Sequence, residues 1–248
     1  MKKILISFIV LTFPPLRLKN RILNILGCRI SLEAKIGFSF IYVDHLKIDD
    51  FASIGHMNFI RIERLYLFEN SYIQHLNTIK GPLIVVLKNY AAIGNQNKII
   101  RAIHPISWGK SIFKLGKLSK ITSKHTIDCM RPVIFGDYSI LAGYHSQIWT
   151  HGFMHAPSGK DRYRVDGSVK IGNNVYIGSA SIINPGVYIA SSITIGSNSA
   201  VSKSLLKQGL YVNQSLRFFE FDYQEGLQKY PSVKSSKEIG DVVHKKIC

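Results

Sequence analysis

Between residues 171 and 201 an aliphatic residue falls on every sixth position: Ile171, Ile177, Ile183, Ile189, Ile195 and Val201. A small residue follows most of them, at Gly172, Gly178, Ala190 and Gly196. Four positions after each aliphatic residue stand Val175, Ser181, Val187, Ile193 and Ser199, all small or β-branched. A period of six is neither the 3.6 of a helix nor the 2 of an alternating strand. It describes short extended segments separated by turns. Six extended residues span roughly 20 Å at about 3.3 Å each, less the turn. Three such sides close a triangular coil, and coils stacked at the ~4.8 Å strand spacing satisfy one another's backbone hydrogen bonds. The aliphatic residue then points into the prism. The glycine or alanine after it is expected at the corner, where backbone angles are unusual and a side chain would crowd.

The same spacing recurs earlier with changes of phase, at Ile48 and Ile54-Gly55, at Leu67, Ile73 and Ile79, at Leu87, Ile93-Gly94 and Ile99, and at Phe135-Gly136 and Leu141-Ala142. The expected architecture is therefore all-β, one parallel β-helix over 30–205, interrupted by loops near 101–130 and 149–168. The first loop, "RAIHPISWGKSIFKLGKLSKITSKHT" from Arg101, is basic and shows no hexads. It reads either as a loop over an acceptor site or as a membrane-facing patch. Residues 206–248 read as a C-terminal extension and polar tail.

Residues 1–29 break the pattern differently. "MKKILISFIVLTFPP" is two lysines before an apolar run too short to span a bilayer. "LRLKNRILNILG" then places leucines and isoleucines at helical spacing with basic residues between them. An apolar, basic helical segment of this kind reads as a membrane-surface element, a helix capping the core, or a cleaved signal without a clear cleavage site.

Composition narrows the partners. The 248 residues carry 32 Lys and Arg against 15 Asp and Glu, a formal charge of +17, and are 46% hydrophobic. That field attracts phosphates or anionic membrane. No basic run interleaved with aromatics marks a nucleic-acid groove, so nucleic acid is not an expected partner. Cys28, Cys129 and Cys248 have neither metal-ligand spacing nor a disulfide framework, which suits a reducing, cytoplasmic setting.

"IGNNVYIGSASIINPGVYIASSITIGSNSAVSKSL" is the most specific stretch. It resembles the hexapeptide-repeat acyltransferases, and the sharp match covers Phe135 to Leu205. The "ILGCRI" entry after a basic helix also resembles members that modify cell-surface polysaccharides. The resemblance implies a left-handed β-helix, a homotrimer, and acetyl-CoA held between neighbouring prisms as acyl donor, with no metal. It further implies that a loop leaving the prism before the last regular coils carries a histidine general base. "WTHG" supplies His151 there. His155 competes within the same loop, and His145 lies six positions before His151, one side of the coil earlier. Both are candidate acceptor contacts. Asp161 or Asp166 are candidates to orient the imidazole.

A neutral imidazole suits removal of a hydroxyl proton near neutral pH, and the coenzyme already activates the acyl group, so direct attack needs no protein nucleophile. Backbone N–H groups around Gly178 to Ser181 are candidate oxyanion donors. By resemblance, Gly178, Ala180 and Ser199 flank the pantetheine arm and Lys203 meets a coenzyme phosphate. The chain departs from the family after Lys203: "YVNQSLRFFEF" keeps Asn213 but has no proline there, which leaves the adenine contacts open.

The expected function is an O-acetyltransferase acting on a sugar hydroxyl of a cell-surface glycan or its lipid-linked or nucleotide-linked precursor. It is placed in the cytoplasm, with peripheral contact at the inner face of the membrane. Three alternatives stand: an N-acyltransferase on an amino sugar; a zinc enzyme of carbonic-anhydrase type, drawing ligands from His125, His145, His151 and His155; and a non-catalytic β-helix binding module.

Overall fold

The computed structural model describes residues 2–103, 107–158 and 161–213, together with the strands Ser232–Ser235 and Val242–His244. Residues 1–213 form one compact unit and 214–248 a second. The first unit is a parallel β-helix. One face is a nine-stranded sheet running from Lys35–Ile36 to Gly209–Tyr211. The other two faces belong to a single 14-stranded sheet, because the long strands Phe40–Ile48 and Phe59–Leu67 bend round a corner. The first half of Phe59–Leu67 pairs with Thr78–Lys80 and its second half with Leu83–Leu87. Within each face the aliphatic positions stand in register, as in Leu141↔Ile177↔Ile195. These side chains are buried and form the core column.

The glycines do a different job from the one the hexads suggest. Most left-handed corners are held by non-glycine residues, among them Tyr90, Leu118, Tyr138, Asn174 and Ser192, with φ of 55–61°. Each of these N–H groups bonds to a carbonyl of the preceding coil, as Tyr138 N–H does to Lys117 O at 2.8 Å. That bond offsets the ~1–2 kcal/mol cost of the left-handed conformation. Gly55, Gly136 and Gly178 do not have positive φ. They are required because the next coil is too close: a Cβ on Gly55 would stand 2.6 Å from the Gln74 carbonyl oxygen, and one on Gly178 2.5 Å from the Ser197 nitrogen.

A buried polar ladder climbs one corner. Asn58 Oδ1 accepts from Asn77 N–H at 2.9 Å, Asn77 Oδ1 from Asn97 N–H at 2.8 Å, and Asn97 Oδ1 from His125 N–H at 2.9 Å. His125 Nδ1 then accepts from Ser146 N–H at 3.1 Å, and serines 146, 181 and 199 continue upward. Because Nδ1 accepts, the ring proton sits on Nε2, which donates to Thr122 Oγ1 at 2.9 Å. Burial drives the His125 pKa down to about 4. His125 is therefore a structural rung with both ring nitrogens engaged, which removes it from the four-histidine zinc set.

The loop expected near 101–130 is much shorter. Ser111–Leu115, Lys120–Ser123 and Thr126–Asp128 are regular strands of the prism, with Phe113, Leu115, Ile121 and Ile127 in the core. Their interleaved lysines point outward, which masks the hexads in the sequence. His104 of this segment lies outside the described residues. The excursion near 149–168 is an antiparallel hairpin, His151–His155 with Arg162–Asp166. The last coil extends past 205, since Gly209–Tyr211 pairs with Ile193–Ile195. In the 214–248 unit, Ser232–Ser235 and Val242–His244 pair antiparallel; the rest of the expected tail lies outside the described residues.

Two helices, α1 (Lys2–Thr12) and α2 (Arg17–Ile25), cover the first coil. An unpaired strand edge presents carbonyls that need donors. Asn20 Nδ2 donates to Ser31 O and Ala34 O at 2.9 and 2.8 Å, Asn24 Nδ2 to Ile30 O at 2.7 Å, and Ser7 Oγ to Ile41 O at 2.8 Å. Lys19 Nζ donates to Phe13 O and Ile36 O, and burial lowers its pKa to about 8. So α2 turns Lys19 and Asn20 inward beside the buried Leu23 and leaves Leu18 and Ile25 exposed, a mixed inner face rather than the purely apolar one of an ordinary amphipathic helix on a core. No described helix is long and apolar enough to cross a membrane.

The His125 rung sets a pH dependence. Its folded pKa lies below its unfolded value, so between about 4 and 6.5 the unfolded chain binds the extra proton and stability rises with pH. His125→Asn extends the asparagine ladder and should flatten that rise; thermal melts of both proteins across this window check it.

Candidate active site

The site is built by register. Thr126↔Gln147 and Ile127↔Ile148 pair across adjacent coils, so Asp128 and the segment Trp149–His151 leave the same corner one coil apart. Asp128 Oδ2 accepts from Thr150 N–H at 3.0 Å, Thr150 Oγ1–H at 2.5 Å and His151 Nδ1–H at 2.8 Å. Thr150 Oγ1 in turn accepts from Arg131 N–H at 3.0 Å. An ionised carboxylate only accepts, so it holds the imidazole proton on Nδ1 and leaves the Nε2 lone pair as the basic position. The His151 side chain is 26% exposed and that of Asp128 10%. The Trp149 and Phe153 rings meet the imidazole edge-on, at centroid distances of 6.4 and 6.3 Å. The result is an oriented imidazole, partly open to solvent, backed by a carboxylate.

The hairpin starts at His151 and returns to the prism at the same point. Gly167 N–H bonds to Thr150 O at 2.9 Å, and Val169 resumes pairing with Val133. His151, Phe153 and His155 share one hairpin face, with Asp166, Arg164 and Arg162 opposite them. The basic segment after Arg101 lies at the same corner. Arg131 stacks 3.6 Å from the Trp108 ring centroid, donates to Trp108 O at 3.0 Å, and is the residue whose N–H supports Thr150. A cavity of about 690 Å³ further down this corner is lined by Arg61, Glu63, Lys80 and Arg101.

The other candidate residues separate into distinct places. His155 is exposed, 6.4 Å ring to ring from Phe153. His145 sits in the left-handed conformation at the opposite corner of the coil and is exposed. Ala180 stacks on that corner, its N–H bonded to Tyr144 O. Gly178 is on the same side and packed against Ser197. Within one chain these three are one prism side away from His151. Ser199 and Lys203 line a cavity of about 250 Å³ at the far end of the prism, together with Asn213. The Ser199 side chain is a ladder rung, with Oγ donating to Gly196 O.

Two expectations need correction. Neither Asp161 nor Asp166 orients His151: Asp161 accepts from Ser158 Oγ, and Asp166 accepts from Arg164 Nε at 2.5 Å. The orienting carboxylate is Asp128, 23 residues earlier. The candidate oxyanion donors are also largely engaged, since Gly178, Ala180 and Ser181 N–H groups bond to Ile195 O, Tyr144 O and Ser146 Oγ. Ser179 N–H makes no hydrogen bond among the described residues. The signal for Asp128 was present, because a carboxylate directly after a core aliphatic one coil before the hairpin must lie at the hairpin's foot. It was hidden by reading 101–130 as a loop. Among the described residues no three His, Cys, Asp or Glu side chains cluster as metal ligands.

The fold and this geometry define the class: a parallel β-helix with a carboxylate-backed histidine at the root of a side hairpin. No protein-family model matches the chain, and no curated protein does. Solved structures do. The N-acyltransferase AntD from Bacillus cereus, in complex with dTDP and 3-hydroxybutyryl-CoA, is 16% identical over 84% of this chain and 91% of its own, with a TM-score of 0.35. The polysialic-acid-specific acetyltransferase NeuO is 17% identical over 66% and 83%, with a TM-score of 0.35. A maltose O-acetyltransferase from Clostridium difficile 630 is 16% identical over 86% and 79%, with a TM-score of 0.29. At these identities and scores the likeness carries neither substrate nor mechanism to this chain.

The tautomer is directly measurable. Nitrogen-15 spectra of histidine-labelled protein should show His151 as the Nδ1–H form when neutral. Asp128→Asn, whose amide can present a donor, should shift the ring toward Nε2–H without unfolding the chain.

Proposed function

We propose that the protein is an acyltransferase that moves acetyl from acetyl-CoA to a hydroxyl of a cell-surface glycan or its lipid-linked or nucleotide-linked precursor. The observation that carries the reading is the Asp128–His151 pair, with Nε2 left basic at the root of an exposed hairpin. The hexapeptide resemblance supplies the reaction class and the donor.

In the proposed reaction the acceptor hydroxyl gives its proton to His151 Nε2 as its oxygen attacks the thioester carbonyl. The imidazolium forms beside Asp128, whose charge stabilises it and holds the ring in place. The tetrahedral adduct collapses, the carbon–sulfur bond breaks, and the imidazolium returns the proton to the leaving thiolate. An ester and free coenzyme A result, and no acyl-enzyme is needed. The oxyanion donor we favour is Ser179 N–H, and Lys203 is placed against a coenzyme phosphate. Both lie away from His151 within one chain, so the reading requires a neighbouring copy, a homotrimer, to bring its corner to the His151 hairpin. His145 and His155 are then acceptor-side contacts, and the Trp108 segment over Arg131 borders the same acceptor space.

The test is release of coenzyme A thiol from acetyl-CoA with a panel of hydroxyl and amine sugars. His151→Ala should lower turnover ~10²-fold or more with coenzyme binding retained. Transfer only to amines would replace the O-acetyl reading with the N-acyl one. Turnover untouched by His151→Ala would remove the proposed base.

A further inference from the structure

The helical cap leaves a surface that acyl transfer does not use. α1 buries Ile6, Ile9 and Val10 against the first coil and turns Ile4, Leu5, Phe8 and Leu11 away from it. Phe13, Leu16, Leu18 and Ile25 continue the exposed apolar set through the connection and α2; Ile4, Phe8, Leu18 and Ile25 are 65, 58, 59 and 84% exposed. Isolated exposed apolar residues are ordinary, but eight within two adjoining helices and their connection are a patch.

The charge that the two helices themselves contribute is all basic. Six basic residues occur before the first acid of the chain, Glu33. Lys3 pairs with Asp44, Arg17 with Glu33, and Lys19 is buried. Lys2, Arg21 and Arg29 are exposed and make no ion pair among the described residues. Apolar side chains that insert, ringed by cations that stay in water, complement a lipid surface carrying anionic headgroups.

We propose that the α1–α2 end of the prism docks peripherally on an anionic lipid bilayer, inserting Ile4, Phe8 and Leu11 without spanning it. The device differs from a lone amphipathic helix, because α2 spends Lys19 and Asn20 on the coil edge beside the buried Leu23 and leaves Leu18 and Ile25 outward. The prism then stands away from the surface. His151 lies five strand spacings along its face from Phe40–Ile48, roughly 24 Å at ~4.8 Å each, and so works in the aqueous layer beside the membrane.

Co-sedimentation of the full chain with vesicles tests this without substrate, so its failure is separate from failure of the acyl-transfer reading. Phosphatidylcholine vesicles containing about one third phosphatidylglycerol should bind the protein, and binding should weaken as salt is raised and in pure phosphatidylcholine. Phe8→Ser and Ile4→Ser, at exposed positions that leave the fold intact by melting, should each reduce partitioning roughly tenfold. Phe51→Ser, exposed at a prism corner, should not. No sedimentation with either vesicle, or binding that ignores Phe8→Ser, overturns the proposal. So does a Phe8→Ser variant that alters only self-association.

Discussion

Every feature of this protein depends on the hydrogen bond from one coil's N–H to the carbonyl of the next. Strands of two or three residues have too little pairing within a coil to stand alone, so stability resides in the stack. The stack fixes a common register, and that register forces the rest. Aliphatic residues fall into columns, corner residues accept left-handed angles because their N–H groups gain partners, and glycine is needed wherever the next coil comes within contact of a Cβ. Buried side-chain amides must be fed by the coil above, as in the Asn58–Asn77–Asn97–His125 ladder. A rung lost from this ladder would orphan a buried donor, at a cost of about 1–3 kcal/mol.

A stack of this kind also has ends and corners, and these are where function can be added. At the first coil the exposed edge is closed by donors from α1 and α2, which frees their outer faces. At the corner between Gln147–Ile148 and Val169–Ile171 the hairpin leaves and re-enters through Thr150 and Gly167, so the coil closes as though nothing had been inserted. The root of the hairpin inherits the rigidity of the prism while its tip is exposed. His151 sits at the root, where Asp128 from the coil below can reach it.

The late coils were legible in the sequence because Ile171 to Val201 follow the period without slips. The earlier prism was legible in pieces. The coil through Phe113, Ile121 and Ile127 was not, since lysines on the outward positions outweigh the inward aliphatics in a linear reading. That error concealed Asp128, because its place beneath the hairpin follows only once the coil count is right. Asp161 and Asp166 were the nearer carboxylates along the chain, but hairpin pairing turns Asp166 to Arg164. The cap was legible as helical but not in its orientation: nothing in "LRLKNRIL" announces that Lys19 and Asn20 face carbonyls of a coil edge rather than water.

The central claim is that stacking couples Asp128 to His151 as one working unit. A double-mutant cycle on thiol release from acetyl-CoA measures that coupling directly. The account predicts that Asp128→Ala slows the wild type but does nothing further once His151→Ala is in place. Full and multiplicative loss from each substitution would contradict it, because the carboxylate would then act independently of the imidazole it touches.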